Sequence, residues 1–266
     1  MPDFLFLDGA QLETKGGAAE ILGDRSCRRI YDPLGEAAAR MGPVIAEADT
    51  ELLDAAVAWE MRPPRSHAVS RVEASVGLSQ LALHFWSIRH VQLTEHRQHF
   101  LRYVDTRVLE NLMRVLTPRQ VAQVFGPVKR WEIRGRDGGR IVLEHPGVPS
   151  AQGALRLSEG QGRELLRLSR PDQLLADVIE DEPALIEKGD AAQLHVWAQQ
   201  ALRFLEELRM WSPPLQLAVG TAALRTSGAA LGDSSFGDVV RTAAERGDME
   251  PLYAWKPAVG AHETPA

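Results

Sequence analysis

The segment GDSSFG, residues 232–237, contains the two serines whose neighbours come nearest to a catalytic nucleophile motif. A hydrolase elbow needs glycine two residues before and two residues after the serine, and neither Ser234 nor Ser235 has both. Serine is also a preferred N-cap, and a helical pattern follows, so we expect one of them to cap that helix. A serine-type hydrolase is an alternative that requires a histidine and an acid beside one of these serines.

Four histidines lie close together in the sequence, at His84, His90, His96 and His99. No H-E-x-x-H motif or carboxylate spacing accompanies them, so they do not indicate a metal site. The single cysteine, Cys27, excludes an intrachain disulfide and any zinc site with several cysteines, and it fits a reducing compartment. There is no Walker loop or dinucleotide-binding loop, so no cofactor is implied.

Basic residues are frequent in VKRWEIRGRDGGRIVLEH, where alternating apolar residues and the Asp137-Gly138 pair predict a β-hairpin. The chain has a formal net charge of -6, which gives no general attraction to nucleic acid. Nucleic-acid binding through this hairpin is therefore the weaker alternative, since a solvated surface explains its charges more simply. The basic residues concerned are Lys129, Arg130, Arg134, Arg136 and Arg140.

A further charged group lies in HFLRYVDTRVLENLMRVL, residues 99–116. The pattern predicts a strand leading into a helix, with Arg102 on the strand face shared by Phe100 and Val104, because side chains alternate along a strand. Asp105 stands where the helix begins and is expected to cap it. The group, which also includes Arg107, either binds something anionic or has a scaffolding role.

The first half of the chain alternates between strand-like and helix-like segments. FLFL and SHAVSRV predict strands, and HVQLT with HFLRYV predicts an antiparallel pair that turns near Glu95 to Arg97. DTELLDAAVAWEM and GLSQLALHFWSI have helical periodicity. Thr117 and Gln120 form a capping box with Pro118 at the first helical position, which predicts another helix.

The composition changes after Pro146, where PGVPSAQGA forms a connection and the later periodic segments are helical. We predict an α+β protein with an N-terminal lobe, residues 1–149, in which helices flank a mixed sheet. The C-terminal lobe, residues 150–256, is predicted to be all-helical. Residues 257–266 lack a periodic apolar face and are predicted to be a disordered tail.

The overall composition is that of a globular protein, with 266 residues, 44% of them hydrophobic and 25% charged. The N-terminal apolar run is short and lacks a basic region, so it predicts a buried strand and not a signal peptide. No apolar stretch approaches the about 18 residues needed to cross a bilayer. We therefore expect a soluble, cytoplasmic protein that does not insert into membranes.

Several segments together resemble the DUF4123 family, adaptor chaperones for effectors of the bacterial type VI secretion system. The resemblance includes FLDGAQ near the start, RRIYDPLGEAAARMGPVIAE, and LHFWSIRHVQL leading to FLRYVDTRVL. It continues through LTPRQVAQVFGPVKRW and, more loosely, through the helical second half. FLRYVDTRVL and TPRQVAQVFGPV are the specific part.

The family pattern aromatic-Arg-aromatic-aromatic-Asp-Pro-Arg is matched at Arg102, Tyr103, Asp105 and Arg107, with Thr106 in place of the proline. Two other features differ. The family's His-Leu-Arg on the preceding helix is here the tripeptide HFW at residues 84–86, and its Pro-Asp-Gly turn is replaced near residues 95 and 96. These differences affect the partner surface.

The resemblance implies a protein that is not an enzyme. It implies binding of a secreted effector in the bacterial cytoplasm and delivery of that effector to the spike protein of the secretion apparatus. We hypothesise that Arg102, Asp105 and Arg107 form a charge-paired junction between strand and helix, because a half-buried arginine needs a paired acid. Tyr103 belongs to the same junction.

Exposed aromatic residues are candidates for contact with the partner, because protein interfaces are enriched in tryptophan and arginine. Trp86, Trp131 and Trp211 are the candidates in this chain. Tryptophan is also commonly buried, so burial of any of them in the folded protein would remove it from consideration.

Overall fold

The computed structural model describes residues 1–12, 18–60, 67–94 and 97–256. It has two compact units, residues 1–168 and 169–266. The boundary lies after Leu168, whereas composition placed it near Ser150. The difference arises because Leu155, Leu157 and Leu165 pack into the core of the first unit. The predicted disordered tail, residues 257–266, lies outside the described residues.

The first unit is built on a six-stranded sheet in which every neighbouring pair of strands is antiparallel. The order across this sheet is β2-β3-β1-β4-β7-β8. A smaller sheet has the order β6-β5-β9, in which β5 and β9 are parallel. The strands are β1 (Asp3–Asp8), β2 (Cys27–Arg29), β3 (Pro43–Glu47), β4 (Val69–Ala74), β5 (His90–Thr94), β6 (Arg97–Phe100), β7 (Val128–Arg134), β8 (Arg140–Glu144) and β9 (Leu155–Arg156).

Helices flank these sheets, so the predicted α+β class is confirmed, while mixed pairing is confined to the smaller sheet. The predicted turn between β5 and β6 includes residues 95 and 96, which lie outside the described residues. The helices of the first unit are α1 (Gly9–Leu12), α2 (Ala19–Leu22), α3 (Glu36–Met41), α4 (Thr50–Glu60), α5 (Leu78–Ser87), α6 (Thr106–Val115) and α7 (Pro118–Phe125).

Two apolar cores lie on opposite faces of the six-stranded sheet, because side chains alternate along each strand. In β1, Phe4 and Phe6 face one core, whereas Leu5 and Leu7 face the other. The first core is rich in aromatic rings, and the Phe6 ring centroid lies 4.5 Å from that of Phe85. Helix α7 begins with the predicted capping box of Thr117 and Gln120.

The second unit is helical, as predicted. Helix α8 (Glu159–Asp181) continues through Pro171 without interruption. Asp190 caps α9 (Ala191–Leu208) by accepting a hydrogen bond from the Gln193 backbone N–H at 2.8 Å. The remaining elements are α10 (Pro213–Arg225), α11 (Ala229–Gly232), α12 (Ser234–Arg246) and α13 (Glu250–Tyr253). No helix in the described part of the chain is long and apolar enough to cross a membrane.

Candidate functional site

The charged group around Arg102 lies in a turn. Strand β6 ends at Phe100, and the Asp105 backbone N–H donates to the Arg102 carbonyl at 3.1 Å. Val104 is buried, whereas the Arg102 side chain is 53% exposed, so the two do not share a strand face. The predicted strand was therefore wrong for residues 101–104, because the antiparallel pairing with β5 stops where His90 faces Phe100.

Asp105 caps helix α6, as predicted, and also forms an ion pair. Its Oδ1 accepts from the Arg107 backbone N–H at 3.1 Å. The Arg107 guanidinium donates Nε to Oδ1 at 3.0 Å and Nη2 to Oδ2 at 2.8 Å, a two-pronged contact. Arg102 Nη2 lies 3.9 Å from the same Oδ2. Asp105 is only 2% exposed, so these arginines compensate a buried charge.

Arg102 makes its shorter ion pair with Asp8, the last residue of β1, with Nη2 3.0 Å from Oδ2. Asp8 is also 2% exposed. Its remaining hydrogen bonds are local, from the Ala10 backbone N–H at 3.0 Å and from Gln11 Nε2 at 2.8 Å. Arg102 thus connects the end of a central strand to the turn that precedes α6. We call Asp8, Arg102, Asp105 and Arg107 the ionic junction.

Gly9 allows the chain to turn immediately after Asp8. Its backbone N–H donates to the Gly42 carbonyl at 3.2 Å. A Cβ atom on residue 9 would lie 2.4 Å from that carbonyl oxygen and 2.6 Å from the Arg40 carbonyl oxygen, both in the backbone. Only glycine fits this close approach without moving the segment between α3 and β3.

The electrostatics of the junction favour the charged form of Asp105. Burial by itself would raise the pKa of this carboxyl, but the hydrogen bonds and charge of Arg107, with the charge of Arg102, bring the pKa below its ordinary value of 3.8. Asp105 is therefore ionised at neutral pH, and its charge is matched by the arginines that contact it.

Tyr103 has a core position. The ring is fully buried and stacks against Phe85, with centroids 5.2 Å apart. Its hydroxyl donates to the Phe85 carbonyl at 2.9 Å, and burial raises the pKa of the phenol well above 10.0. Tyr103 therefore ties the turn to helix α5 and presents no free hydroxyl.

Thr106, which occupies the position where the family pattern has proline, forms hydrogen bonds through its side-chain hydroxyl. Thr106 is 1% exposed and its Oγ1 donates to the Arg134 carbonyl of β7 at 3.2 Å. The Nδ1 atom of His67 lies 3.2 Å from the same oxygen. Proline has no hydroxyl and could not form this connection between α6 and the sheet.

The three candidate tryptophans have different environments. Trp131 is fully buried in central strand β7, and its Nε1 donates to Ser70 Oγ at 2.9 Å, so it is part of the core and cannot contact a partner. Trp86 is half-buried at the end of α5. Trp211 is 47% exposed, with the Arg170 guanidinium carbon 4.7 Å from its ring centroid.

The residues proposed for the alternative functions have structural roles in the described part of the chain. Asp233, and neither of the serines, caps α12, and the Ser235 hydroxyl donates to Asp233 at 2.6 Å. The prediction of a serine cap was wrong because an aspartate precedes the pair. In the hairpin, Arg140 pairs with Glu132.

Two other arginines of that hairpin also form ion pairs, one with helix α6 and one across the hairpin. Arg136 Nη1 lies 2.8 Å from Glu110 Oε2, and Arg130 Nε lies 3.7 Å from Glu144 Oε1. Within the described ranges, no three His, Cys, Asp or Glu residues are grouped so that they could hold a metal ion.

Three of the four residues of the ionic junction were identified from the sequence, and the fourth, Asp8, was missed. Asp8 was noted only within FLDGAQ, and Gln11 and His67 were not singled out. Asp8 could have been recognised from the sequence because it is an aspartate at the end of an apolar strand. A carboxylate buried at such a position requires a cationic partner. The identity of that cation, 94 residues further along, could not be read from local patterns.

The fold and the junction define an α+β protein whose first unit carries an ion-paired turn beside the end of a central strand of an antiparallel sheet. Residues 4–123 match the family model described as "Domain of unknown function (DUF4123)", which supports the resemblance noted from the sequence. The matched segment includes the whole ionic junction. The chain matches no curated protein and no solved structure.

Proposed function

We propose that this protein is a non-enzymatic adaptor chaperone of a bacterial type VI secretion system. In this role it binds a secreted effector in the cytoplasm and loads it onto the spike protein. The match of residues 4–123 to DUF4123 supports this proposal, together with the similarity of FLRYVDTRVL and TPRQVAQVFGPV to that family.

The observation that carries the proposal is that the polar side chains in two segments resembling the family, FLDGAQ and FLRYVDTRVL, are occupied in holding the fold together. The Asp8 and Asp105 carboxylates are buried and accept hydrogen bonds from arginines, and the Tyr103 hydroxyl is bonded to a backbone carbonyl. These groups hold the turn, strand β1 and helix α5 in place. A motif that fixes a surface fits a protein whose function is to present that surface to another protein.

The test is affinity capture of the tagged full-length protein from the bacterium that encodes it, at moderate salt, with mass spectrometry of the bound proteins. Recovery of one dominant effector and a secretion spike protein is the expected result. A partnerless, monodisperse protein would contradict the proposal. Fractionation of the same cells checks the cytoplasmic location.

A pair of variants tests the role of the junction within this function. Arg102→Ala should lower thermal stability and weaken capture together, because it removes the partner of buried Asp8. The matched control is Arg163→Ala, which removes an arginine whose side chain is 74% exposed. If Arg102→Ala abolished capture at unchanged thermal stability, Arg102 would instead contact the effector directly.

A further inference from the structure

A group of aromatic side chains reaches the surface beside the ionic junction. Phe100 is 55% exposed, yet its ring centroid lies 4.7 Å from that of His90 and 5.7 Å from that of Tyr31. The Tyr31 centroid is 6.5 Å from that of half-buried Trp86. With two neighbouring arginines they form what we call the aromatic–arginine patch: Tyr31, Trp86, Arg89, His90, Phe100 and Arg102.

The side chains of this patch are held by the fold before any partner arrives. Phe100 faces His90 across the β5–β6 pair, and the Leu101 backbone N–H donates to the Arg89 carbonyl at 2.8 Å. Tyr31 and Trp86 pack against the aromatic core of the first unit. Interface residues that are already ordered lose less conformational entropy on binding, which favours affinity.

The charge of the patch is positive. Arg102 is matched by Asp8 and Asp105, but Arg89 makes no ion pair with any residue in the described ranges. The Arg89 guanidinium carbon lies 3.7 Å from the Trp86 ring centroid, and its Nη1 donates to the Trp86 carbonyl at 2.7 Å. Its buried Nε has no hydrogen-bond partner among the described residues. Within that part of the chain, Arg89 is therefore fixed on an aromatic surface without a counter-charge.

Tyr31 adds no negative charge to this surface. Burial, with a smaller contribution from the charge of Asp8, raises the pKa of its phenol to about 12. The charges of Arg89 and Arg102 act in the opposite direction but do not outweigh burial. The phenol is neutral at physiological pH. Phe100 and Tyr31 thus offer apolar area directly beside a cation.

From this geometry we infer that the aromatic–arginine patch binds an acidic segment of a partner protein. An apolar residue of that segment rests on Phe100 and Tyr31, and a neighbouring carboxylate approaches Arg89. Aromatic and arginine side chains are the residue types that most often carry binding energy at protein interfaces. The inference rests on the proposed adaptor function and adds the chemistry of the partner segment.

A protein segment fits this surface better than a single-stranded nucleic acid. Binding of unpaired bases uses free aromatic faces. Arg89 already covers one face of Trp86, and the Tyr31 ring meets Trp86 at an interplanar angle of 68°.

The experiment measures binding of three short fluorescein-labelled peptides to the full-length protein by fluorescence anisotropy. In the first peptide, glutamate and aspartate alternate with leucine and tryptophan. The second has glutamine and asparagine in place of the acids, and the third has serine in place of the apolar residues. A labelled single-stranded oligonucleotide is the fourth probe.

Two variants alter the patch and two are matched controls. Phe100→Ser removes the apolar contact, and Leu166→Ser makes the same kind of change at a residue that is 67% exposed. Arg89→Met removes the cation and keeps an unbranched side chain over Trp86. Arg119→Met removes an exposed arginine from α7.

We expect the acidic apolar peptide to bind the unmodified protein more tightly than the other two peptides, and increasingly weakly as salt is raised. Phe100→Ser and Arg89→Met should each weaken it by about tenfold or more, with both controls unchanged. Absence of binding, or equal binding by patch and control variants, would overturn the inference. So would oligonucleotide binding with the same dependence on the patch, which would indicate a nucleic-acid site.

Affinity capture with the same variants separates this inference from the proposed function. If effector and spike protein are recovered equally with Phe100→Ser and with the unmodified protein, the adaptor function stands and the patch is not its binding surface. If the acidic peptide binds at the patch but no secretion protein is captured, the surface stands and the adaptor function fails.

Discussion

The two units of this protein use charged and polar residues in different ways. The first unit buries Asp8, His67, Ser70, Asp105, Thr106 and Asn111. Among the described residues of the second unit, Thr221 is the one buried polar residue. The core of the second unit is formed by aliphatic, alanine and aromatic side chains, including the small residues of α10.

The charge balance follows the same division. Residues 1–168 contain 22 Lys or Arg and 21 Asp or Glu, whereas residues 169–266 contain eight and fifteen. In the first unit the charges include the ion pair between buried Asp8 and half-exposed Arg102, which joins β1 to the turn before α6. In the second unit apolar helix faces provide the packing and the acidic excess lies outside the buried core. The comparison indicates that ion pairs fix irregular segments, while regular helices need only apolar contacts.

The largest difference is expected between two helix-capping aspartates. Asp105→Ala removes a cap, a buried charge and the partner of Arg107, and should lower the free energy of unfolding by about 3 kcal/mol, the lower end for a broken buried pair because both arginines reach solvent. Asp190→Ala removes an exposed cap of α9 and should cost about 1 kcal/mol. Urea unfolding followed by circular dichroism measures both. Equal losses would show that burial of Asp105 adds nothing to its capping role.

The elements around this junction were largely predictable from local patterns. The apolar run FLFL, the helical spacing of DTELLDAAVAWEM and the capping box at Thr117 are local patterns, and the structure confirms the element that each one predicts. Asp105 was identified as a cap for the same reason. Such features are decided by contacts that span only a few residues.

Features decided by distant contacts were not predictable. The alternating pattern of residues 99–104 does not show that strand pairing ends at Phe100. Alternation also places Trp131 and Ile133 on one face without showing that a core covers it. The partner of Arg102 is Asp8, which only the sheet topology brings near.

The next contrast is between two arginine ion pairs. Arg102→Ala leaves the buried Asp8 carboxylate without its cation and should destabilise the protein by about 2 kcal/mol. Arg225 of the second unit donates Nε to Glu182 Oε2 at 2.9 Å, but both side chains are about one-third exposed. Arg225→Ala should therefore cost about 1 kcal/mol or less. Thermal and urea unfolding provide the comparison, and a larger loss for Arg225→Ala would reverse the distinction between the units.

Two glycines provide a smaller contrast. Gly9→Ala places a Cβ atom against backbone carbonyl oxygens and should cost about 1–2 kcal/mol. Gly220 lies within α10, where a Cβ atom would lie 2.9 Å from Leu174 Cδ1, a side-chain atom that can move. Alanine also favours the helix, so Gly220→Ala should stay within about 1 kcal/mol of the unmodified protein. A neutral Gly9→Ala would mean that the segment between α3 and β3 moves easily.

The smallest effect is expected in the pH dependence of stability, because burial and the arginines act on Asp105 in opposite directions. Its pKa is lower in the folded protein than the ordinary value of 3.8, so the stabilisation is fully present above that pH and is lost as the pH falls through the folded pKa. The difference in the free energy of unfolding between the unmodified protein and Asp105→Asn should therefore be constant near neutral pH and decrease only in acid.

Salt separates this effect from that of a helix cap in the second unit. Hydrogen bonds from Ser235 lower the pKa of Asp233, which is only partly buried and can be reached by counter-ions. Each aspartate contributes a pH-dependent part to the free energy of unfolding, which its substitution by asparagine removes. Raising the ionic strength should reduce the contribution of Asp233 more than that of Asp105, because buried charges are screened less. Urea unfolding across the acid range at two salt concentrations measures this. Equal sensitivity to salt would mean that solvent reaches the ionic junction as freely as it reaches the surface of the helical unit.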